Sequence, residues 1–170
     1  MPKTDIKAKK GFTIIEVILV LAIGSLIILM ALVALPSLQA SQRDTQRKND
    51  YAMLETAITN YASNNRGKLP DAKTYISDDA GKKISGQNVG TGFLATYIKD
   101  NWTDPSKGSY TVEVKQLTAA LTKPTLQAGE VKVYISARCD GETPTYDAKL
   151  GSRRFAIYGF LESGAYCQSN

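Results

Sequence analysis

The chain has 170 residues, enough for one small domain beside a membrane segment. Histidine is absent, which excludes every Ser/His or Cys/His catalytic pair and removes the commonest general base and metal ligand. The formal net charge is +5, but the first ten residues hold four of the 21 basic and one of the 16 acidic residues. The remainder carries 17 basic and 15 acidic residues, too even a balance for the basic footprint of a DNA-binding domain. We therefore expect neither an enzyme nor a nucleic-acid partner.

An uncharged apolar segment, residues 17–35, follows the basic N-terminus. It is long enough to cross a bilayer as a helix, which takes at least about 17 residues. Lys9 and Lys10 precede it, and positive flanks stay in the cytoplasm, so residues 36–170 are predicted on the outer side. Glu16 interrupts the pattern at the front edge, four residues after Phe12. A carboxylate is costly in lipid, so this side chain needs a partner.

The position of Gly11 indicates how the segment is processed. An ordinary secretory signal has a small-residue cleavage site after its apolar part, and no A-x-A-like site follows Leu35. Gly11 lies before the apolar part instead. Cleavage there keeps the apolar helix and makes it the new N-terminus.

The segment Lys9-Lys10-Gly11, followed by Phe12-Thr13-Ile14-Ile15-Glu16-Val17 and an apolar helix, resembles the class III signal peptide of type IV pilins. The resemblance implies that a prepilin peptidase cuts between Gly11 and Phe12 and methylates the new amino group of Phe12. It implies that Phe12 and Glu16 direct subunit assembly. The implied partners are further copies in a helical filament, the peptidase, an inner-membrane assembly platform and, before assembly, the membrane. The implied location is the cell membrane and then an extracellular pilus.

Residues 37–65 are predicted to continue the helix. Tyr51, Leu54, Ile58 and Tyr61 recur at helical spacing and predict a face that packs on a sheet. A mixed-charge group precedes this stripe, and we interpret most of it as a solvated face beside lipid headgroups: Arg43, Asp44, Arg47, Lys48 and Asp50. Asp44 and Lys48 have the i,i+4 spacing of a helical ion pair.

Three residues inside the helix have low helix propensity: Gly24, Ser25 and Pro36. We expect a kink or loosened turn at Pro36. In a tight filament bundle, part of the interval from Gly24 to Pro36 is predicted to lose helical hydrogen bonds, which would let the filament stretch. The helix is predicted to end near residues 64–67, with Gly67 at the C′ position.

The remaining chain predicts an α+β fold. Residues 68–109 are interpreted as a connection with one short helix near residues 93–98. Period-two patterns predict strands at 110–114, 131–135 and 154–161, in an antiparallel sheet of three or four strands packed on the second half of the helix. Cys139 and Cys167, an even pair in an exported domain, predict a disulfide that clips the C-terminal loop to the sheet.

The predicted organisation has four parts: a cleaved leader at 1–11, an apolar membrane and filament-core helix at 12–36, its amphipathic continuation at 37–66, and a globular head at 67–170. The predicted function is that of a structural subunit of a type IV pilus, serving adhesion, motility or DNA uptake. One alternative is a minor pilin or a pseudopilin of a secretion or DNA-uptake machine. Another is a monomeric membrane-anchored adhesin or binding module.

Two further interpretations are disfavoured. The spacing of Asp100, Asn101 and Asp104 does not match a calcium loop, and no cofactor or metal is expected. Binding of DNA through Arg153-Arg154 or Lys82-Lys83 is a weaker hypothesis, because few aromatic residues accompany these pairs.

Overall fold

A computed structural model describes residues 11–70, 96–98, 102–119, 121, 124–147, 149 and 151–170. The chain divides into two compact units, Met1–Gln39 and Ala40–Asn170. One long helix, α1 (Ile14–Asn64), begins in the first unit and ends in the second. The strands of the second unit are β1 (Thr111–Gln116), β2 (Glu130–Ile135), β3 (Ala137–Asp140), β4 (Thr143–Tyr146), β5 (Phe155–Leu161) and β6 (Gly164–Ser169).

The main sheet has the order β1-β2-β5-β6, and β3 and β4 form a separate antiparallel pair. The predicted α+β architecture is confirmed, but the sheet is mixed. β2 pairs antiparallel with β5, and β5 with β6, whereas β1 lies parallel to β2. Residues 117–129 connect β1 to β2 and supply the crossover of about a dozen residues that parallel neighbours require.

Both faces of the central strands β2 and β5 are covered within the second unit. One face packs on α1 through Tyr51, Leu54, Ala57 and Ile58, all with at most 1% of their surface exposed. Tyr61 is partly buried and packs against the same cluster, so the predicted stripe is confirmed. The sheet residues on that face include Val131, Val133, Phe155 and Ile157. On the other face, Tyr134, Ala156 and Tyr158 form a second buried cluster with Leu117, which follows β1, and with Ala137 of β3. This two-sided burial explains why β5 is apolar at nearly every position.

The predicted C-terminal loop is in fact a strand. Cys139 lies in β3 and Cys167 in β6, and the predicted disulfide between them joins the small sheet to the main one. The sequence of β6, Gly-Ala-Tyr-Cys-Gln-Ser, does not alternate between apolar and polar residues, so no period-two pattern marks this strand. In the fold, residues 165–169 are all partly buried.

The end of α1 differs from the prediction by one residue. Arg66, and not Gly67, occupies the C′ position with φ of 57°. The Gly67 N–H donates to the Ala62 carbonyl oxygen at 2.7 Å, the 6→1 bond of a Schellman motif. Gly67 itself has φ of 79°, so two consecutive residues are left-handed.

α1 runs through Gly24, Ser25 and Pro36 without a break. The Ser25 and Ser37 hydroxyls each donate to a carbonyl oxygen three residues earlier, at 2.9 Å. The predicted loss of helical bonds concerns the helix inside a filament and stays a prediction.

Several predictions lie wholly or partly outside the described residues. They include those on residues 1–10 of the leader with Lys9 and Lys10, on Lys82 and Lys83, on Asp100 and Asn101, and on the first half of the short helix at 93–98. Thr96 and Tyr97 of that segment are helical.

Candidate functional site

Gly11, Phe12 and Thr13 precede the first residue of α1. The Thr13 carbonyl oxygen accepts from the Glu16 N–H at 3.2 Å and from the Val17 N–H at 3.4 Å. The Thr13 hydroxyl oxygen also accepts from the Glu16 N–H, at 3.4 Å. Thr13 is therefore the N-cap residue, and Glu16 stands at N3, which is the sequence pattern of a capping box.

The apolar half of α1 is exposed along its whole length in the isolated chain. Phe12 is 85% exposed, and each large apolar side chain from Ile14 to Leu38 is 49% exposed or more, with the lowest value at Val17. This helix is long and apolar enough to cross a membrane, by length and composition, with none of its most apolar window buried. A surface of this kind requires either lipid or other apolar helices around it.

Glu16 lies in the first turn of α1, on this exposed segment. Within the described residues its carboxylate makes no hydrogen bond or ion pair. Phe12, the other residue predicted to direct assembly, lies two residues before the first residue of α1.

A second feature, which we call the polar cluster, lies in the second unit: Arg43, Asp44, Arg47, Asp104, Ser106, Glu162 and Ser163. Arg47 is fully buried at its centre. Its Nε donates to the Asp104 carboxylate at 2.8 Å, and its Nη2 donates to the Ser106 hydroxyl at 2.7 Å. Its Nη1 donates to Asp44 and to Glu162, at 3.2 Å each. The guanidinium also lies 5.3 Å from the centre of the Phe160 ring.

Asp44 connects α1 to the turn between β5 and β6. Its carboxylate accepts from the Glu162 N–H at 2.7 Å, the Ser163 N–H at 3.0 Å and the Ser163 hydroxyl at 2.7 Å. Burial alone would raise the pKa of Asp44, but these hydrogen bonds and that from Arg47 together lower it. Arg43 binds both oxygens of Glu162, at 2.5 and 2.7 Å, and this hydrogen bonding lowers the pKa of Glu162.

Asp50 is a second buried carboxylate of α1, and no arginine among the described residues pairs with it. Asp50 is 3% exposed and accepts from the Tyr110 hydroxyl at 2.7 Å, while its backbone carbonyl accepts from the Trp102 ring N–H at 3.0 Å. Burial raises the pKa of Asp50, more than the Tyr110 hydrogen bond lowers it. Burial also raises the pKa of Tyr110.

The interpretation of residues 43–50 as a solvated face is therefore wrong for Asp44, Arg47 and Asp50. Asp44 has Arg47 as its cationic partner, whereas the Lys48 ammonium lies 5.8 Å from the centre of the Tyr166 ring. The spacing of Asp44 and Arg47 from Tyr51 along the helix could have indicated their burial. Residues 44, 47, 51, 54 and 58 continue a single helix face, so the buried stripe extends toward the N-terminus through charged residues.

Comparison with known proteins supports the interpretation of the N-terminus. Residues 6–32 match the family model described as the prokaryotic N-terminal methylation motif. The search of curated proteins and the search of solved structures gave no match. The motif, the apolar helix and the α+β architecture together are typical of one class of protein: a prepilin-like chain with a class III signal peptide and a helix long and apolar enough to cross a membrane. Within that class they support a type IV pilin-like prepilin, membrane-anchored and then assembled into an extracellular pilus.

The same findings indicate a structural protein rather than an enzyme. Among the residues that the structure describes, no group of three or more Cys, Asp or Glu side chains is arranged to hold a metal ion.

Proposed function

We propose that the protein is the structural subunit of a type IV pilus, which polymerises through its N-terminal helix into an extracellular filament for adhesion, motility or DNA uptake. The observation that carries this proposal is the methylation motif followed by a long apolar helix. None of the most apolar part of this helix is buried within the chain itself. Residues 1–11 are removed, residues 12–36 form the filament core, residues 37–66 continue the helix, and residues 67–170 contribute the head.

Glu16 gives assembly its register. A charged group at the centre of a membrane helix costs about 2.5–3.5 kcal/mol on insertion scales, and less near the interface. Cleavage creates a second isolated polar group, the amine of Phe12, whose charge methylation would keep. A neighbouring chain displaced by about one helical turn, or 5.4 Å, brings its Phe12 amine to this Glu16. The pair is then surrounded by apolar helices, where opposite charges attract strongly.

A subunit docked at the wrong height leaves both groups without partners, and the cost of an unpaired charge in an apolar bundle opposes that arrangement. Correct register is therefore the arrangement of lowest free energy. The driving force for assembly itself is the transfer of the apolar surface from lipid to a bundle of like helices.

A minor pilin or a pseudopilin would share this N-terminal segment, and abundance in sheared filaments distinguishes the two roles. A monomeric membrane-anchored adhesin predicts instead that Gly11 is not cut and that Glu16 is dispensable.

The test combines electron microscopy of sheared surface filaments with mass spectrometry of their subunit. We expect a subunit that begins at an N-methylated Phe12. Glu16→Val is expected to be inserted and cleaved normally but to be absent from filaments, while Val17→Leu, the neighbouring apolar control, leaves both steps unchanged.

Each other result has a distinct meaning. Uncleaved Glu16→Val assigns Glu16 to recognition by the peptidase. Cleaved Glu16→Val in normal filaments refutes its role in register. Wild-type chain missing from filaments refutes the role of structural subunit.

A further inference from the structure

The bond that the peptidase must cut lies immediately outside α1. The helix begins at Ile14, so the Gly11–Phe12 peptide lies two residues before its first turn. Within the described part of the chain the Gly11 carbonyl oxygen accepts no hydrogen bond, and a Cβ added to Gly11 would meet no atom within 4 Å. Residues 11–70 and the other described segments therefore offer no donor to the carbonyl that is attacked.

The position of this peptide outside the helix affects how readily the Gly11–Phe12 bond is hydrolysed. Water adds to the Gly11 carbonyl carbon, the C–N bond breaks, and the products are a carboxylate on Gly11 and an amine on Phe12. In a helix that included this peptide, the Gly11 carbonyl oxygen would accept from the Ile15 N–H. Attack would then first require that this turn unwind.

Thr13 occupies the N-cap position, directly before the first residue of α1. Its hydroxyl and carbonyl oxygens both accept from the Glu16 N–H, at 3.4 and 3.2 Å, and its carbonyl oxygen accepts from the Val17 N–H. The Val17 bond is the first i→i−4 bond of the helix, whereas the hydroxyl adds an acceptor for the Glu16 N–H, one of the donors that a first turn leaves without an i→i−4 partner. A helix that extends backward pairs these donors with earlier carbonyl oxygens and moves its unpaired N–H groups away from the apolar segment. Because unpaired donors are most costly close to lipid, loss of the cap favours the longer helix.

We propose that Thr13 is a positioning residue for processing: as the N-cap of α1 it holds the Gly11–Phe12 peptide outside the helix, where its carbonyl is open to attack. Gly11, with its low helix propensity, acts in the same direction. The inference rests on cleavage at Gly11, which the proposed function also requires, but it does not depend on filament formation.

The first test measures cleavage of the full-length chain in membranes that contain the peptidase. Thr13→Val keeps the shape of the side chain and removes the hydroxyl acceptor. We expect its cleavage rate to fall about fivefold, because losing an N-cap typically costs about 1 kcal/mol. Thr13→Ser and Thr13→Asn retain an acceptor that caps helices and should be cut at close to the wild-type rate.

Two results would overturn the inference. One is wild-type cleavage of Thr13→Val. The other is Thr13→Ser or Thr13→Asn cut as slowly as Thr13→Val, which would mean that the peptidase reads the shape of the threonine and not the helix start.

The second readout is the position of the helix start in the uncleaved chain in lipid nanodiscs, from backbone chemical shifts of residues 11–14. Thr13→Val should shift Phe12 toward helical values, and Thr13→Ser should not. Unchanged shifts in Thr13→Val contradict the capping role. Because neither measurement involves filaments, a chain that is processed as described but never polymerises refutes the proposed function and leaves this inference standing.

Discussion

Gly159 of β5 lies directly against the ring of Tyr51 on α1. A Cβ built on Gly159 would stand 2.3 Å from Tyr51 Cζ, well inside contact distance. The ring cannot move aside easily, because Tyr51 is fully buried and its hydroxyl donates to the Phe160 carbonyl oxygen at 2.8 Å. The absence of a side chain at this one position therefore sets how closely α1 approaches the sheet.

We predict that Gly159→Ala destabilises the head strongly. Overpacking a dense core typically lowers the free energy of unfolding by about 1–3 kcal/mol. Because the ring of Tyr51 is rigid, we expect Gly159→Ala to cost at least the upper value of that range. The measurement is thermal or denaturant unfolding of the full chain in detergent. Gly141→Asn is the control, since Gly141 has φ of 60° and open space around it, and asparagine tolerates that conformation. Equal stability of Gly159→Ala and wild type would contradict the observed packing.

The polar cluster yields a second prediction. Arg47→Met fills a similar volume but leaves Asp104 buried without a cation, and breaking a buried pair in this way costs about 3–5 kcal/mol. Lys48→Met, one residue along the helix and exposed, is the matched control and should change the free energy of unfolding by about 0.5 kcal/mol or less.

Arg47→Lys separates charge from geometry. Lysine keeps the charge but cannot present the forked donors that reach Asp104, Asp44 and Ser106 together, so we expect a stability between those of wild type and Arg47→Met. If Arg47→Met unfolds like Lys48→Met, the buried ion pairs do not stabilise the head.

The sequence predicts features that follow from the repeat of apolar residues. The face formed by Tyr51, Leu54 and Ile58 and the cores of β2 and β5 belong to this group, since burial of apolar surface dictates them. The burial of Arg47 was not predicted, because a charged residue on a helix is usually solvated. Its spacing from Tyr51 is the one sequence feature that places it on the buried face.

Other features depend on the path of the chain through space. β1 is parallel to β2 because the connection at residues 117–129 crosses back to the same end of the sheet. A local pattern of apolar and polar residues does not reveal the route of such a connection. Gly159 in β5 indicates a close approach of some group, but not that the group is Tyr51. The match of residues 6–32 to the N-terminal methylation motif was predictable from the sequence, because that motif is a local pattern of residues at fixed offsets and needs no tertiary contacts. The roles of Gly11, Phe12 and Glu16 stay predictions.

The third prediction concerns pH and compares two buried aspartates whose pKa values shift in opposite directions. The pKa of Asp44 is lowered in the folded chain, because its hydrogen bonds outweigh the effect of its burial. The folded state therefore binds fewer protons than the unfolded one, whose Asp pKa is about 3.9. The stability contributed by Asp44 is present above that value and is lost as pH falls through the folded pKa.

Asp50 behaves in the opposite way, since burial raises its pKa. Its charged form is disfavoured in the folded state, so Asp50 lowers stability as pH rises from the unfolded pKa through the folded one. Asp44→Asn should destabilise most at neutral pH and progressively less in acid. Asp50→Asn, which can still accept the Tyr110 hydrogen bond, should gain stability relative to wild type as pH rises. Unfolding free energies of the three chains between pH 3 and 7 test both slopes, and slopes of the same sign would contradict the assignment.

The last prediction concerns the end of α1, where Arg66 is left-handed with φ of 57°. A side chain in that conformation costs about 1–2 kcal/mol, a cost that glycine does not have. Arg66 also places a positive charge near the negative end of the helix dipole, which offsets part of the strain, typically about 0.3–1 kcal/mol. The backbone strain of Arg66 is larger than its favourable interaction with the helix dipole, so Arg66→Gly should stabilise the head. We expect a gain of about 0.5–1 kcal/mol in the free energy of unfolding, the size typical of an improved helix cap.

Gly67→Ala, at the next position, is the opposing control. Gly67 has φ of 79°, and an added Cβ would lie 3.2 Å from Arg153 Nε, so this change should destabilise. Raising the salt concentration distinguishes the two contributions at Arg66, because salt screens the dipole interaction and leaves backbone strain unchanged. The advantage of Arg66→Gly should therefore grow with salt. An Arg66→Gly chain that is less stable than wild type in high salt would show that backbone strain at Arg66 is not the dominant factor.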